Sequence, residues 1–312
     1  MIEDGALLKR FKIVSLVGIG NYAKVYKAIP SSSPLSSKIV SKCPKEFAIK
    51  SINLSKVSEN YRTKFLPREL SILKRIQHAN ICKIYEIFQV SDRIFIVMQF
   101  CPNGTIADLL QKIGPLSESV SRHLFTQVVD AVVYLHSAEL AHRDIKLENI
   151  LLDDNCVPKL TDFSYSIRLG RSRSTNSKRK NQTSNTSIAL QPPPSGPPKM
   201  RLNDTFCGTL PYLPPEMIRQ IPYDSKKTDI WSLGVCLYVM LNDKIPFPID
   251  DVKLMVKKQM NRDYKFKTTV KVSDKCLELV GQLMEPDFMK RINVLEASKH
   301  QWMSGPRDKP EI

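Results

Sequence analysis

Between His142 and Asn149 the chain reads His-Arg-Asp-Ile-Lys-Leu-Glu-Asn, so one short loop holds a carboxylate (Asp144), two cations (Arg143, Lys146) and an amide (Asn149). In general a carboxylate can take up a proton, a cation can offset negative charge and an amide oxygen can meet a hard cation, so such a set has the composition of a catalytic loop. The loop follows a long amphipathic pattern and precedes the apolar run Ile150-Leu151-Leu152, as a catalytic loop between core elements would. An ordinary charged turn could have the same composition, so the reading depends on partners elsewhere in the chain.

Three further polar residues stand out against apolar surroundings. Lys50 ends the run Phe47-Ala48-Ile49, Glu69 shares a helical face with Phe65 and Ile72, and Asp162 follows the strand-like run Val157 to Thr161. A carboxylate on an inward stripe calls for a cation. The plainer alternatives are a surface lysine at a strand end and a turn aspartate after a strand.

The elements that must position these groups fall into two halves. Residues 11 to 29 alternate apolar and polar side chains around Gly18-Ile19-Gly20-Asn21-Tyr22-Ala23, which predicts a hairpin with a glycine turn. A Ser/Pro-rich link from Pro30 to Pro44 leads to a short strand over Glu46 to Lys50. A helix is expected from about Arg62, with Pro67 in its first turn, where the missing N–H costs little. Glu59, the rival acidic partner for Lys50, would lie outside that helix. Strands are expected over Ile81 to Phe88 and Arg93 to Phe100, and Cys101-Pro102-Asn103-Gly104 ends the first half.

The second half is mainly helical: Thr105 to Lys112, Ser117 to Leu140 with Ser117 as cap, a buried helix from about Lys227 to Leu241, and amphipathic patterns near 250–261, 273–284 and 292–299. Strands first and helices after predicts an α+β fold. Between them, residues 170–200 are low in apolar side chains and rich in Ser, Thr, Asn and basic residues, which predicts a disordered insert.

At 312 residues, with 42% hydrophobic and 25% charged, the chain has the composition of a globular protein with a sizeable core. The longest apolar run, Ile230 to Leu241, is too short to span a bilayer, and the start Met1-Ile2-Glu3-Asp4 does not have the pattern of a signal peptide, so no membrane span is expected. Seven cysteines, an odd number with no C-x-x-C pair, are expected as free thiols. The net charge of +16 is concentrated: eight basic residues and no acidic one lie between Phe163 and Asn203. The remainder is spread as a solvated surface, so dedicated nucleic-acid binding is not expected.

The H-R-D-x-x-x-x-N spacing of residues 142–149, with Phe47-Ala48-Ile49-Lys50 and Asp162-Phe163-Ser164, resembles the eukaryotic protein-kinase family, and the likeness runs from Phe11 to Trp302. It implies a bilobal kinase domain over 11–303, with a small antiparallel-sheet lobe to about residue 100, a larger helical lobe over 104–303 and a tail over 304–312. It implies ATP bound by Val17, Gly18, Gly20, Val25, Ala48, Lys50, Met98 and Cys101, with Mg2+ on Asn149 and Asp162. It further implies that Lys50 pairs with Glu69, that Asp144 accepts the substrate hydroxyl's proton, that Lys146 neutralises phosphate charge, and that Thr209 holds Asp144 and Lys146 in place. Glu216 of Pro214-Pro215-Glu216 would pair with Arg291.

Lysine at position 146 resembles Ser/Thr rather than tyrosine kinases, so the implied partners are proteins bearing serine or threonine hydroxyls. Arg143 implies control by phosphorylation of the activation segment, at Thr205, by an upstream kinase or by the chain itself. Asp162-Phe163-Ser164-Tyr165-Ser166 and Asp229-Ile230-Trp231-Ser232-Leu233-Gly234 are similar to the testis-specific serine/threonine kinases of the calmodulin-kinase-like group, which points to sperm development. Departures are Ala23 for a third glycine, Ser164 for the glycine that lets this backbone flip, and Thr105 where an acid commonly follows the hinge glycine. A pseudokinase scaffold presenting the basic insert is the alternative. The expected location is the cytoplasm, with the nucleus as a second compartment through Lys178-Arg179-Lys180.

Overall fold

The computed structural model describes residues 10–20, 23–31, 45–169, 207–267 and 271–310. Strands β1 (Phe11–Ile19), β2 (Ala23–Pro30), β3 (Phe47–Asn53), β4 (Ile84–Val90) and β5 (Arg93–Gln99) form an antiparallel sheet in the order β1-β2-β3-β5-β4. β3 is central, and Phe47, Ala48, Ile49, Ser51 and Ile52 are all buried. Lys50 therefore sits within a buried strand, its backbone opposite Val25 and Ile96. A cation there needs anions within reach.

The helical element facing this sheet differs from the sequence expectation. Helical backbone begins at Glu59, passes through a π-helical turn over Tyr61–Phe65, and continues as α1 (Leu66–Leu73). Pro67 is thus early in the α-helical part but well inside the helical run. It has no N–H for the Thr63 carbonyl, and its ring would crowd that carbonyl in a regular α-helix. The wider turn, in which the Leu66 N–H donates to the Tyr61 carbonyl, accommodates it. Glu59 is inside the helical run and exposed, and its carbonyl accepts from the Thr63 hydroxyl at 2.8 Å.

Strand β4 starts later than expected because Ile81 instead bridges Leu160 of the other half. That half contains α2 (Ile106–Ile113), α3 (Glu118–Ser137), α4 (Pro215–Ile218), α5 (Ser225–Asn242), α6 (Val252–Met260), α7 (Asp274–Leu283) and α8 (Val294–Ser298). Ser117 caps α3 by accepting from the Val120 N–H. Helix α5 is buried from Thr228 to Asn242, which explains its lack of an apolar stripe. A Cβ at Gly234 would come within 2.7 Å of Met284 and 2.8 Å of Leu283, so glycine lets α5 pack closely against the end of α7.

Two short antiparallel strand pairs frame the loop at 142–149. β6 (Leu140–Ala141) pairs with β9 (Ile167–Arg168), and β7 (Ile150–Leu152) pairs with β8 (Pro158–Leu160). One apolar cluster runs from Ile52, Leu66 and Ile96 through Leu160 and Phe163 to Trp231 and Leu283, so the loop is anchored on both sides. This is a bilobal α+β architecture. No described helix is long and apolar enough to cross a membrane. Most of the expected Ser/Pro-rich link, the 170–200 insert and Thr205 lie outside the described residues.

Candidate active site

Lys50 meets two carboxylates. Its Nζ donates to Glu69 Oε1 at 2.9 Å and to Asp162 Oδ1 at 3.2 Å. Glu69 is buried, whereas the Asp162 side chain keeps 41% exposure at the cleft. Burial works against the Lys50 charge, but Glu69 and Asp162 more than offset it and hold the ammonium pKa above the ordinary lysine value. Partial enclosure in the cleft opposes ionisation of Asp162, yet Lys50 and the Ser164 hydroxyl keep its carboxyl below the usual range. The Ser164 hydroxyl donates to Asp162 Oδ1 at 2.5 Å.

The loop at 142–149 is held from below by Asp229 of α5. That buried carboxylate accepts from the His142 N–H at 2.9 Å, the Arg143 N–H at 2.7 Å and His136 Nε2 at 2.8 Å. These bonds hold Arg143 at φ 66°, a left-handed conformation that side-chain-bearing residues rarely adopt. His142 Nε2 donates to the Thr161 carbonyl at 3.0 Å, and its Nδ1 accepts from the Asp144 N–H at 3.3 Å, which sets the tautomer.

Asp144 is buried and enclosed by donors. Thr209 Oγ1 donates to Oδ1 at 2.9 Å, Asn149 Nδ2 to Oδ2 at 3.0 Å, and Lys146 Nζ lies 3.1 Å from Oδ2. Lys146 Nζ also donates to Thr209 Oγ1 at 2.7 Å. Thr209 reaches the loop because Gly208 (φ 114°) approaches it closely: a Cβ there would lie 3.1 Å from the Arg143 carbonyl oxygen. Arg143 itself donates to the Tyr165 carbonyl at 2.7 Å and the Tyr223 hydroxyl at 3.3 Å.

A cavity of about 490 Å³ opens between the sheet and the helical half, a volume ordinary for a small-molecule site. Its lining includes Val17, Gly18, Gly20, Val25, Ala48, Lys50, Met98 and Cys101, with Asn149 and Asp162 at its inner end. Lys50, Glu69, Asn149 and Asp162 are thus brought together around one cleft, and Asn149 ties Asp144 to it. Among the described residues no cluster of three or more His, Cys, Asp or Glu could form a metal cage. The donors fit Mg2+ in another way: a carboxylate and an amide offer hard oxygen ligands, and two carboxylates around one lysine leave surplus negative charge.

Some important residues carry no signal of their own in the sequence. Asp229 belongs to a recognised buried helix, but its three bonds to the loop emerge only in three dimensions. Tyr61, whose hydroxyl donates to Glu69 Oε2 at 3.1 Å, is displaced by a turn type that periodicity does not reveal. The Glu216–Arg291 pair is present, with contacts of 2.7 and 3.0 Å, and buried. The six cysteines among the described residues are free.

Comparison with known proteins agrees with this geometry. The family described as "Protein kinase domain" matches residues 11–303. The mouse (Mus musculus) testis-specific serine/threonine-protein kinase 2 is 34% identical over 99% of this chain and 78% of its own length. The mouse testis-specific serine/threonine-protein kinase 3 is 34% identical over 97% of this chain and 99% of its own. Human (Homo sapiens) NUAK family SNF1-like kinase 2 is 33% identical over 96% of this chain and 41% of its own. A family match over nearly the whole chain, around a cleft with this arrangement of charge, establishes that the chain belongs to the protein kinase family and is a protein serine/threonine kinase.

Proposed function

We propose that the cleft binds ATP and passes its γ-phosphoryl group in line to serine or threonine hydroxyls of proteins, with Asp144 receiving the acceptor's proton. The observation that carries this reading is the Asp144 carboxylate, fixed by Thr209, Lys146 and Asn149, the last of which lines the same cavity as the Lys50–Glu69–Asp162 trio. Fixed groups of this kind stabilise a transition state because they need little reorganisation as charge moves. Lys50 orients the α- and β-phosphates, Glu69 keeps Lys50 directed at the cleft, and Lys146 offsets charge on the transferred group. Asn149 and Asp162 would hold Mg2+, which when bound supplies positive charge against the phosphate oxygens.

Arg143 is the docking point for a phosphate on the activation segment, and Thr205 is the residue we assign to carry it, through an upstream kinase or autophosphorylation. The names of the testis-specific relatives support a role in sperm development. The chain works in the cytoplasm and enters the nucleus through its basic insert. Deleting residues 171–199 should abolish nuclear entry and leave phosphate transfer intact.

A thermal-shift titration with and without Mg-ATP, followed by transfer to a generic basic protein, tests the reaction. Stabilisation and phosphate transfer are expected, with Asp144→Asn and Lys50→Met folded but inactive. Near-normal turnover in either variant would overturn these roles, and no transfer from protein phosphorylated at Thr205 would favour the scaffold alternative.

A further inference from the structure

Glu69 has two carboxylate oxygens with different partners. Lys50 takes Oε1 at 2.9 Å, and the Tyr61 hydroxyl takes Oε2 at 3.1 Å. Asp162 lies beyond Lys50, so a single cation serves two carboxylates and the buried Glu69 needs a second donor. Burial, and after it the Glu69 charge, push the Tyr61 hydroxyl far above its ordinary pKa, which keeps it protonated and donating.

The local backbone explains how Tyr61 comes to this position. Tyr61 and Glu69 are eight residues apart, and in an unbroken α-helix, at about 100° per residue, their side chains would point roughly 80° apart. The π turn over Tyr61–Phe65 rotates less per residue and brings the two closer to one face. Pro67 follows the turn after one intervening residue and disfavours a regular α-helix through this point. Tyr61 also packs its ring against the main apolar cluster, so its hydroxyl is presented by a body that is itself held.

We propose that Tyr61 is a positioning residue for phosphoryl transfer, whose hydroxyl clamps Glu69, and through it Lys50, in the orientation that receives the nucleotide phosphates. The clamp rests on the kinase reading above for its consequence, but not for its existence. It makes the π turn a functional part of the lobe: the widened turn that accommodates Pro67 also sets the angle of the Tyr61 hydroxyl.

The test compares wild type, Tyr61→Phe, Glu69→Gln and the double variant. Tyr61→Phe keeps the ring and removes the donor, and kcat/KM for ATP should fall about tenfold, mainly through a rise in KM. In the Glu69→Gln background the same change should cost less than about twofold, because the partner has already been altered. Wild-type kinetics in Tyr61→Phe, or an equal loss in both backgrounds, would overturn the clamp. Amide exchange over residues 66–73 gives a readout without turnover: it should quicken in Tyr61→Phe relative to wild type, and equal rates would overturn the clamp. Exchange that quickens in a wild-type-inactive protein would overturn the kinase reading and uphold the clamp.

Discussion

Two ion-pair networks in this molecule use similar residues to opposite ends. The Glu216–Arg291 pair is closed: both side chains are buried, the contacts are bidentate, and the guanidinium also donates to the carbonyls of Glu285 and Lys227. Trp231 covers its face, with the guanidinium carbon 5.0 Å from the ring centroid. The Lys50 network is open, with two carboxylates for one ammonium and Asp162 partly exposed to the cleft. Charges balanced and fully hydrogen-bonded serve as a fastening. Charges left in surplus at a cavity wall await a ligand.

Activity separates the two networks most strongly. Asp144→Asn should lower kcat on the order of 10²- to 10⁴-fold, and Lys50→Met should lower kcat/KM comparably, while both keep a native circular dichroism spectrum and Lys50→Met melts only moderately lower, because the Tyr61 hydroxyl still donates to the buried Glu69. A loss of stability in Lys50→Met as large as that from breaking the closed pair would make the open network a fastening after all. The closed pair should show the reverse. Arg291→Met leaves Glu216 buried without its cation and is expected to cost about 3–5 kcal/mol, read as a clear drop in melting temperature, and loss of activity only as the protein unfolds.

A smaller effect should come from Ser164→Gly. It removes a hydroxyl from Asp162 and frees the backbone, so activity is expected to change about threefold, with a raised Mg2+ concentration at half-maximal nucleotide-dependent stabilisation. An unchanged Mg2+ requirement would show that Lys50 alone orients Asp162. The smallest concerns pH. The lowered Asp162 pKa means that its contribution to stability is fully present above the ordinary aspartate range and is lost as pH falls through the depressed value. Melting temperatures of wild type and Asp162→Asn should therefore run parallel between pH 6 and 8 and converge only in strong acid.

Much of the site was legible in the sequence because its chemistry is local. Residues 142–149 carry a carboxylate, a lysine and an amide at spacings that one loop can satisfy, and Lys50 and Asp162 stand at the ends of apolar runs. The helix near Glu69 was less legible. Periodicity put its start near Arg62 and left Glu59 outside, because a π turn does not follow the 3.6-residue pattern that sequence reading relies on. The run from Ile81 predicts a strand that Ile81 does not join, since its bridge to Leu160 depends on how the halves meet.

By itself, the sequence determined the element order, the apolar faces and the residue types able to do chemistry, since these follow from side-chain period and local backbone preference. Tertiary structure alone decided that Asp162 shares Lys50 with Glu69, that Asp229 holds the backbone of the 142–149 loop, and that Tyr61 reaches Glu69. Each of those contacts turns on distances of 2.7 to 3.2 Å between groups placed by separate elements or by an irregular turn. Bond lengths at that scale are set by packing, which no local pattern encodes.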